Sequence, residues 1–325
     1  MGEFDLIARY FERAQHHHAP GVTSGVELGI GDDCAVLAPQ PGMQWLVSSD
    51  MLVEGRHFLP TVDPARLGHK ALAVNLSDLA ACGATPRAFT LALALPRADA
   101  AWLEGFARGL FALADEHGIA LVGGDTTQGP LNLCITVMGE APAGSALLRS
   151  GARAGDDLYV SGLLGDARLA LEVFRGKLSL SGEAFEQVRR AMECPTPRVA
   201  LGQALRGVAT SAIDVSDGLA GDLGHVLRRS KVGATLNVDA LPRSSVLEAQ
   251  TLDLRREMGL AGGDDYELVF TAPLAARDAV AQAAATSSTP VTRIGSIEAE
   301  PGLRLIDSSG APLALSFASF DHFKS

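Results

Sequence analysis

Apolar positions along the chain change period repeatedly, and each change predicts an element. Phe4, Ile7, Ala8 and Phe11 recur at three- and four-residue steps and predict a helix over 4–14. Residues 26–37 read as a strand interrupted by Asp32-Asp33, and 44–48 as a strand ending in Ser48-Ser49-Asp50. Asp63-Pro64 opens a helix, with Asp as N-cap and Pro at the first helical position. It runs to about Cys82, where Gly83 supplies a stop and Pro86 forbids continuation. Leu67, Ala71, Val74, Asp78 and Cys82 fall on one face of it, so Asp78 is a carboxylate inside an apolar stripe. Burying it is costly unless it is hydrogen-bonded, paired or bound to a cation. A strand over 89–95 follows, then a helix over 99–117 with Trp102, Phe106, Leu110 and Leu113 turned inward. A short strand over 119–122 ends in Gly123-Gly124-Asp125-Thr126-Thr127, and another spans 131–138.

Between 142 and 155 the composition turns small and polar, with Arg149 and Arg153, and a domain boundary is placed there. Two domains are expected, 1–141 and 142–325. In the second, strands are predicted over 157–160, 211–215, 234–238 and 268–271, with two more near the end. Helices are predicted over 165–174, from the Pro195-Thr196-Pro197 break to Leu205, over 216–228, and after 271. Both halves therefore read as α/β with mixed sheets. Gly-Gly-Asp occurs once in each half after an apolar run, which hints that the halves are related.

Composition narrows the partners. The 325 residues are 47% hydrophobic and 20% charged, with a net charge of -11. That acidity argues against non-specific binding to nucleic acid or to an anionic membrane. Cys34, Cys82, Cys134 and Cys194 form no C-x-x-C pair and read as buried, reduced thiols. The first residues carry Glu3 and Asp5 and no basic-then-apolar run, so no signal peptide is expected. The apolar stretch 71–81 contains Asn75 and Asp78 and is too short to span a bilayer. A cytoplasmic protein is expected. His16-His17-His18 reads as a polar helix end or loop.

The carboxylates carry the chemistry. Asp32, Asp33, Asp50, Asp125, Asp214, Asp217 and Asp264 stand at predicted element ends, and Asp78 projects from its helix face. Such a set converges only if cations offset the repulsion. Oxygen-only ligands suit Mg²⁺, which in such sites also binds substrate phosphates. No His/Cys set has zinc spacing. In Asp214-Val215-Ser216-Asp217-Gly218-Leu219 a strand meets a helix, where backbone N–H groups would favour a phosphate; Ser216 or Asp217 could equally be a plain N-cap. The chain has no P-loop, protein-kinase, nucleophile-elbow or Rossmann signature. The residues themselves stop at a Mg²⁺-dependent enzyme acting on a phosphorylated ligand.

GIGDDCAV, Ser48-Ser49-Asp50, NLSDLAACGA, LVGGDTT, Arg149-Ser150-Gly151-Ala152, SAIDVSDGL and GGDDYEL occur in the order found in the thiamine-monophosphate kinase family, which the chain resembles nearly end to end. That family belongs to an ATP-binding superfamily with aminoimidazole ribonucleotide synthetase and selenophosphate synthetase. The resemblance implies transfer of the ATP γ-phosphoryl group to thiamine monophosphate, the last step of thiamine diphosphate biosynthesis. It implies several Mg²⁺ ions, ATP as co-substrate in a cleft between the domains, and a homodimer that pairs its N-terminal sheets. By motif, Asp33, Ser48, Ser49, Asp50, Asp78, Asp125, Asp214 and Asp217 match metal positions. Gly124, Asp125, Arg149 and Ser216 match positions near the ATP phosphates, and His57, Asp264 and Phe320 match positions that contact thiamine phosphate. Asp33 is taken as the ligand of its pair and Asp32 as part of the bend. The chain departs from the family in Ser49 where Thr is common, Asp264 where Glu is frequent, and His117 where an aromatic is frequent. Two other readings compete: a synthetase of the same superfamily that activates an amide or carbonyl with ATP, and a non-catalytic nucleotide or Mg²⁺ sensor.

Overall fold

The computed structural model describes residues 3–12, 25–30 and 34–314. Asp32, Asp33, His16-His17-His18 and Phe320 lie outside the described residues. The chain divides into two compact units, one of residues 1–79 and 84–144, the other of 80–83 and 145–325.

The first unit contains α1 (Glu3–Leu6), β1 (Val26–Leu28), β2 (Val36–Leu37), β3 (Met43–Val53), α2 (Pro64–Ala81, whose last two residues belong to the other unit), β4 (Thr85–Leu95), α3 (Ala100–His117), β5 (Ala120–Gln128) and β6 (Asn132–Pro142). The N-terminal helix is shorter than its periodicity predicts, because α1 passes into a π-helical turn, Ile7–Phe11, that ends at Glu12. The segment 26–37 is not one interrupted strand. β1 and β2 pair antiparallel, so the chain reverses direction between Leu28 and Val36. A mixed sheet in the order β3-β6-β4-β5 has β4 and β5 parallel and the other pairs antiparallel. Its helix-covered face holds Leu67, Leu72, Leu76, Phe89, Phe106, Leu110, Leu133 and Ile135, all fully buried. Asp63 Oδ1 caps α2 by accepting from the Ala65 and Arg66 amides, as its sequence position predicts, and Asp99, read only as a helix residue, caps α3 from Ala101 and Trp102. Gly109 lets α3 touch α2, since a Cβ there would stand 1.8 Å from the Ala65 carbonyl oxygen.

Two strands run further than predicted. β3 continues past Asp50 to Val53, and β5 runs through Gly123-Gly124-Asp125 to Gln128. Both stay paired along their length with β6 and β4 respectively. The motif carboxylates therefore sit inside strands rather than at their ends.

The second unit contains β7 (Asp157–Ser161), α4 (Asp166–Phe174), α5 (Gly182–Glu193), α6 (Val199–Ala204), β8 (Ser211–Asp214), α7 (Leu219–Ser230), β9 (Gly233–Asn237), α8 (Ser245–Glu248), α9 (Leu252–Ala261), β10 (Leu268–Ala272), α10 (Arg277–Thr286), β11 (Val291–Glu298) and β12 (Gly302–Ile306). Its sheet order is β12-β9-β11-β7-β10-β8, antiparallel throughout except β12 with β9. One cluster packs Leu158, Val160, Ile213, Leu219, Leu223 and Val269; a second packs Leu169, Val188, Met192, Leu247 and Met258. α5, α8 and α9 escape the sequence reading. α5 and α9 nevertheless carry legible caps: Ser181 accepts from the Ala184 amide, and Thr251 from the Leu254 amide. The two Gly-Gly-Asp runs are not equivalent, since one lies in β5 and the other in the loop between α9 and β10. None of the four cysteines is buried as expected: Cys34 is exposed and Cys82, Cys134 and Cys194 are half-buried, and none is in a disulfide.

Candidate functional site

In the first unit, strand alternation sorts the predicted ligands onto two faces. Ser48 and Asp50 lie opposite the buried Val137 and Ile135 of β6, beneath the helices. There the Ser48 hydroxyl donates to Asp78 Oδ2 at 2.5 Å, and the Asp50 amide donates to Asn75 Oδ1 at 3.1 Å. Asn75 and Asp78 are three apart on α2 and so meet the same strand. Asn75 is itself held by donating to the Ala71 carbonyl at 3.0 Å. Ser48, Asp50 and Asp78 thus form one group of hard oxygen donors. Ser49 points the other way, sharing a hydrogen bond with Thr136 Oγ1 at 3.0 Å and donating to the Ile135 carbonyl.

Gly124 and Asp125 lie in β5. Gly124 has φ 146°, and a Cβ there would stand 1.9 Å from the Leu91 carbonyl oxygen, so only glycine keeps β5 against β4. Asp125 is exposed opposite Ala92, on the open face that Ser49 also shares. A cleft of about 630 Å³ opens beside Gly123, Gly124 and Asp125, walled by Ile7, Phe11 and Ile30. That volume lies in the range of small-ligand sites. His57 follows β3 in a turn where the Val53 amide donates to its Nδ1 at 3.0 Å, which places the ring proton on Nε2.

In the second unit the predicted residues gather where β8 ends. Asp214 is buried at the last strand position. The helix expected from Ser216 begins only at Leu219, and its N-cap is Gly218 with φ 107°. Neither Ser216 nor Asp217 is an N-cap. Their amides are not open to a phosphate either, because both donate to Asp222 Oδ2, each at 3.0 Å. Burial pushes the Asp222 carboxyl up to about 7, against the pull of those two amides; Arg149 also lowers it, so that exposed guanidinium acts on the same corner.

The GGDDYEL segment is strapped to this loop. Asp264 N–H donates to the Ser216 carbonyl, Tyr266 N–H to the Val215 carbonyl, and Val215 N–H to the Glu267 carbonyl, each at 2.8 Å. Asp264 and Tyr266 both adopt left-handed backbones, φ 73° and 52°, which only a well-anchored turn sustains. The anchor is Asp265, whose two carboxyl oxygens accept from the Gly165 amide at the start of α4, and burial pushes that carboxyl well above the usual range. Glu267 is held by Arg198 Nε at 2.7 Å and by the Ser161 hydroxyl at 2.5 Å.

Asp222, Asp265 and Glu267 are the residues sequence reasoning passed over. Asp222 had a signal: it stands three residues after Leu219, so it interrupts an apolar helix face as Asp78 does. Among the described residues no three His, Cys, Asp or Glu side chains already form a metal cage. The donors present are carboxylate and hydroxyl oxygens, a chemistry that fits a hard cation such as Mg²⁺. No helix among the described residues is long and apolar enough to cross a membrane.

The two units match two family models in turn, AIR synthase related protein, N-terminal domain, over residues 31–141, and AIR synthase related protein, C-terminal domain, over 153–308. The fold with its carboxylate-bearing strand and loop ends is thus that of an AIR synthase related protein. Within that class, a thiamine-monophosphate kinase of Salmonella typhimurium is 47% identical over 99% of this chain and 98% of its own. The crystal structure of thiamine-monophosphate kinase from Stenotrophomonas maltophilia superposes with a TM-score of 0.83 at 46% identity, covering 93% of this chain and 94% of that one. A structure of AaThiL complexed with AMPPCP and TMP superposes at 0.77 and 28% identity, over 88% and 89% of the two chains. The chain belongs to the thiamine-monophosphate kinase family.

Proposed function

We propose that this protein phosphorylates thiamine monophosphate with ATP, giving thiamine diphosphate and ADP. The observation that carries the reading is the 47% identity with a thiamine-monophosphate kinase over 99% of this chain, beside a loop in which the Asp264 amide is bonded to the Ser216 carbonyl. The acceptor is a phosphate ionised at neutral pH, so no strong general base is required, and none is needed among these residues. The difficulty is to align two anions. Ser48, Asp50 and Asp78 in the first unit, with Asp33, and Asp214 and Asp217 in the second are assigned to Mg²⁺; Ser49 and Asp125, on the other face of the first unit's sheet, would hold a separate ion. Bound Mg²⁺ supplies charge screening for the phosphoryl group in flight.

The chain's own contribution is positioning. Gly124 and Asp125 line the first unit's cleft and are assigned to ATP, as are Arg149 and Ser216 of the second unit. Asp264, fixed in its left-handed turn, and His57, oriented by the Val53 amide at its Nδ1, are assigned to thiamine phosphate together with Phe320. The metal-binding half is assigned to 1–141 and the half completing the site to 142–325. The protein is proposed to act in the cytoplasm as a homodimer paired through the open face of the β3-β6-β4-β5 sheet. Val47 and Met51 support this, being 64% and 56% exposed on that face.

The deciding measurement is turnover of ATP with thiamine monophosphate and Mg²⁺, followed by separation of the products. Thiamine diphosphate is expected in proportion to ADP. ATP binding without thiamine diphosphate would overturn the assignment in favour of a sensor, and ADP formed only with an amide or carbonyl acceptor would favour a synthetase.

A further inference from the structure

Asp222 is a buried carboxylate that the proposed chemistry does not use. It is only 4% exposed and lies in the first turn of α7. One of its oxygens, Oδ2, accepts two consecutive backbone amides, those of Ser216 and Asp217. These are the residues assigned to nucleotide and metal. The segment between β8 and α7 has no helical ladder of its own, and Gly218 gives α7 no side-chain cap. On its other side the Ser216 carbonyl is taken by the Asp264 amide. Asp222 is therefore the fastening of Ser216 and Asp217 from the helix side, while the Asp264 turn keeps separate anchors in Asp265 and in the Val215–Glu267 pairing.

We propose that Asp222 is a positioning residue: by accepting the Ser216 and Asp217 amides it sets the direction in which those two side chains face Mg²⁺ and nucleotide. This rests on the proposed function for the identity of the ligands. An acceptor oxygen at this place is what the role demands. Asparagine supplies one, alanine supplies none, and glutamate carries the charge but moves it by one methylene.

The experiment compares wild type with Asp222→Ala, Asp222→Asn and Asp222→Glu. It reads three quantities: hydrogen exchange of the 215–218 amides, calorimetric binding of Mg²⁺ with AMPPCP, and the KM values for Mg·ATP and thiamine monophosphate. In Asp222→Ala the two amides are expected to exchange at least about tenfold faster, and the half-saturating Mg²⁺ to rise at least about tenfold, as for loss of two buried hydrogen bonds. The KM for thiamine monophosphate moves less, because Asp264 keeps its own anchors. Asp222→Asn restores binding to within about threefold of wild type. Unchanged Mg·AMPPCP binding in Asp222→Ala overturns the proposal, as does an Asp222→Asn variant as impaired as the alanine. If melting shows that Asp222→Ala does not fold, the ranking of the other two decides: asparagine near wild type with glutamate impaired supports the role, and any other ranking overturns it. A wild type that binds Mg·AMPPCP but makes no thiamine diphosphate would remove the proposed function, and the exchange and binding measurements would still judge Asp222.

Discussion

Gly124 shows how much one residue can decide. Its φ of 146° and the Leu91 carbonyl oxygen 1.9 Å from where a Cβ would stand leave no room for a side chain. Gly124→Ala must either part β5 from β4 or move Leu91, which is fully paired in the sheet. Its expected cost is about 2–4 kcal/mol from backbone strain and overpacking. Urea unfolding followed by tryptophan fluorescence would measure it; an unchanged midpoint would contradict the close approach. At this scale the sequence was legible in part. Asp78 announces itself by standing in an apolar helix stripe, and the Ser48 hydroxyl indeed satisfies it. That Ser49 turns away from Ser48 and Asp50 follows from alternation alone, but only once β3 is known to run on to Val53. The role of the Ser216 and Asp217 amides was not legible. The acceptor that takes them lies a turn further on, and only the fold brings it back.

Elements are joined in the second unit by a buried carboxylate. Asp157, the first residue of β7, has a side chain 3% exposed. It accepts from Arg277 Nε of α10 at 2.6 Å, from Arg293 Nη1 of β11 at 3.1 Å and from the Tyr159 hydroxyl at 3.2 Å. Hydrogen bonds from Arg277 hold the Asp157 carboxyl below its usual range, outweighing its burial. A carboxyl lowered in the folded state adds stability that is present above its unfolded pKa and lost as pH falls through the folded one. Asp157→Asn is therefore expected to cost about 1–3 kcal/mol at pH 7, discounted because both arginines are half exposed. The difference from wild type should narrow as pH falls below about 4. Denaturant melts at several pH values test this, and a cost independent of pH would mean that packing rather than charge is lost. The cap at Asp63 made the start of α2 readable, because a cap is a local bond, whereas α3 was readable from its apolar stripe. Strand lengths were misread at Asp50 and Gly123-Gly124-Asp125, since residues disfavoured in strands are carried there by partners on neighbouring strands.

At the scale of the whole molecule, the proposed dimer pairs through the open face of the first unit's sheet. Val47, Ser49 and Met51 alternate outward from the edge strand β3, with Thr136 and Cys134 of β6 beside them. Replacing Val47 with Asp and Met51 with Lys together should weaken self-association by at least about a hundredfold, as buried charges do. Sedimentation across a concentration series would reveal monomers. A dimer of undiminished affinity would place the interface elsewhere. The acidic net charge of -11 is spread over a chain whose second unit is laced with Arg–carboxylate pairs, among them Arg256 with Asp239 and Arg198 with Glu267. A composition count cannot separate such paired carboxylates from those left to ligands.

The sequence by itself determined the α/β class, the helices with a clear apolar stripe and the residue types of an oxygen-rich, cation-binding site. Those depend on local propensity, on capping and on side-chain chemistry, which are written residue by residue. Only the tertiary structure decided the sheet orders, the face on which each carboxylate stands, the hairpin at 26–37 and the fastening of Ser216 and Asp217 by Asp222. Strand pairing sets the first three and long-range hydrogen bonding in the buried loops sets the last. Neither leaves a periodic mark along the chain, because the partners are supplied by residues elsewhere in the fold.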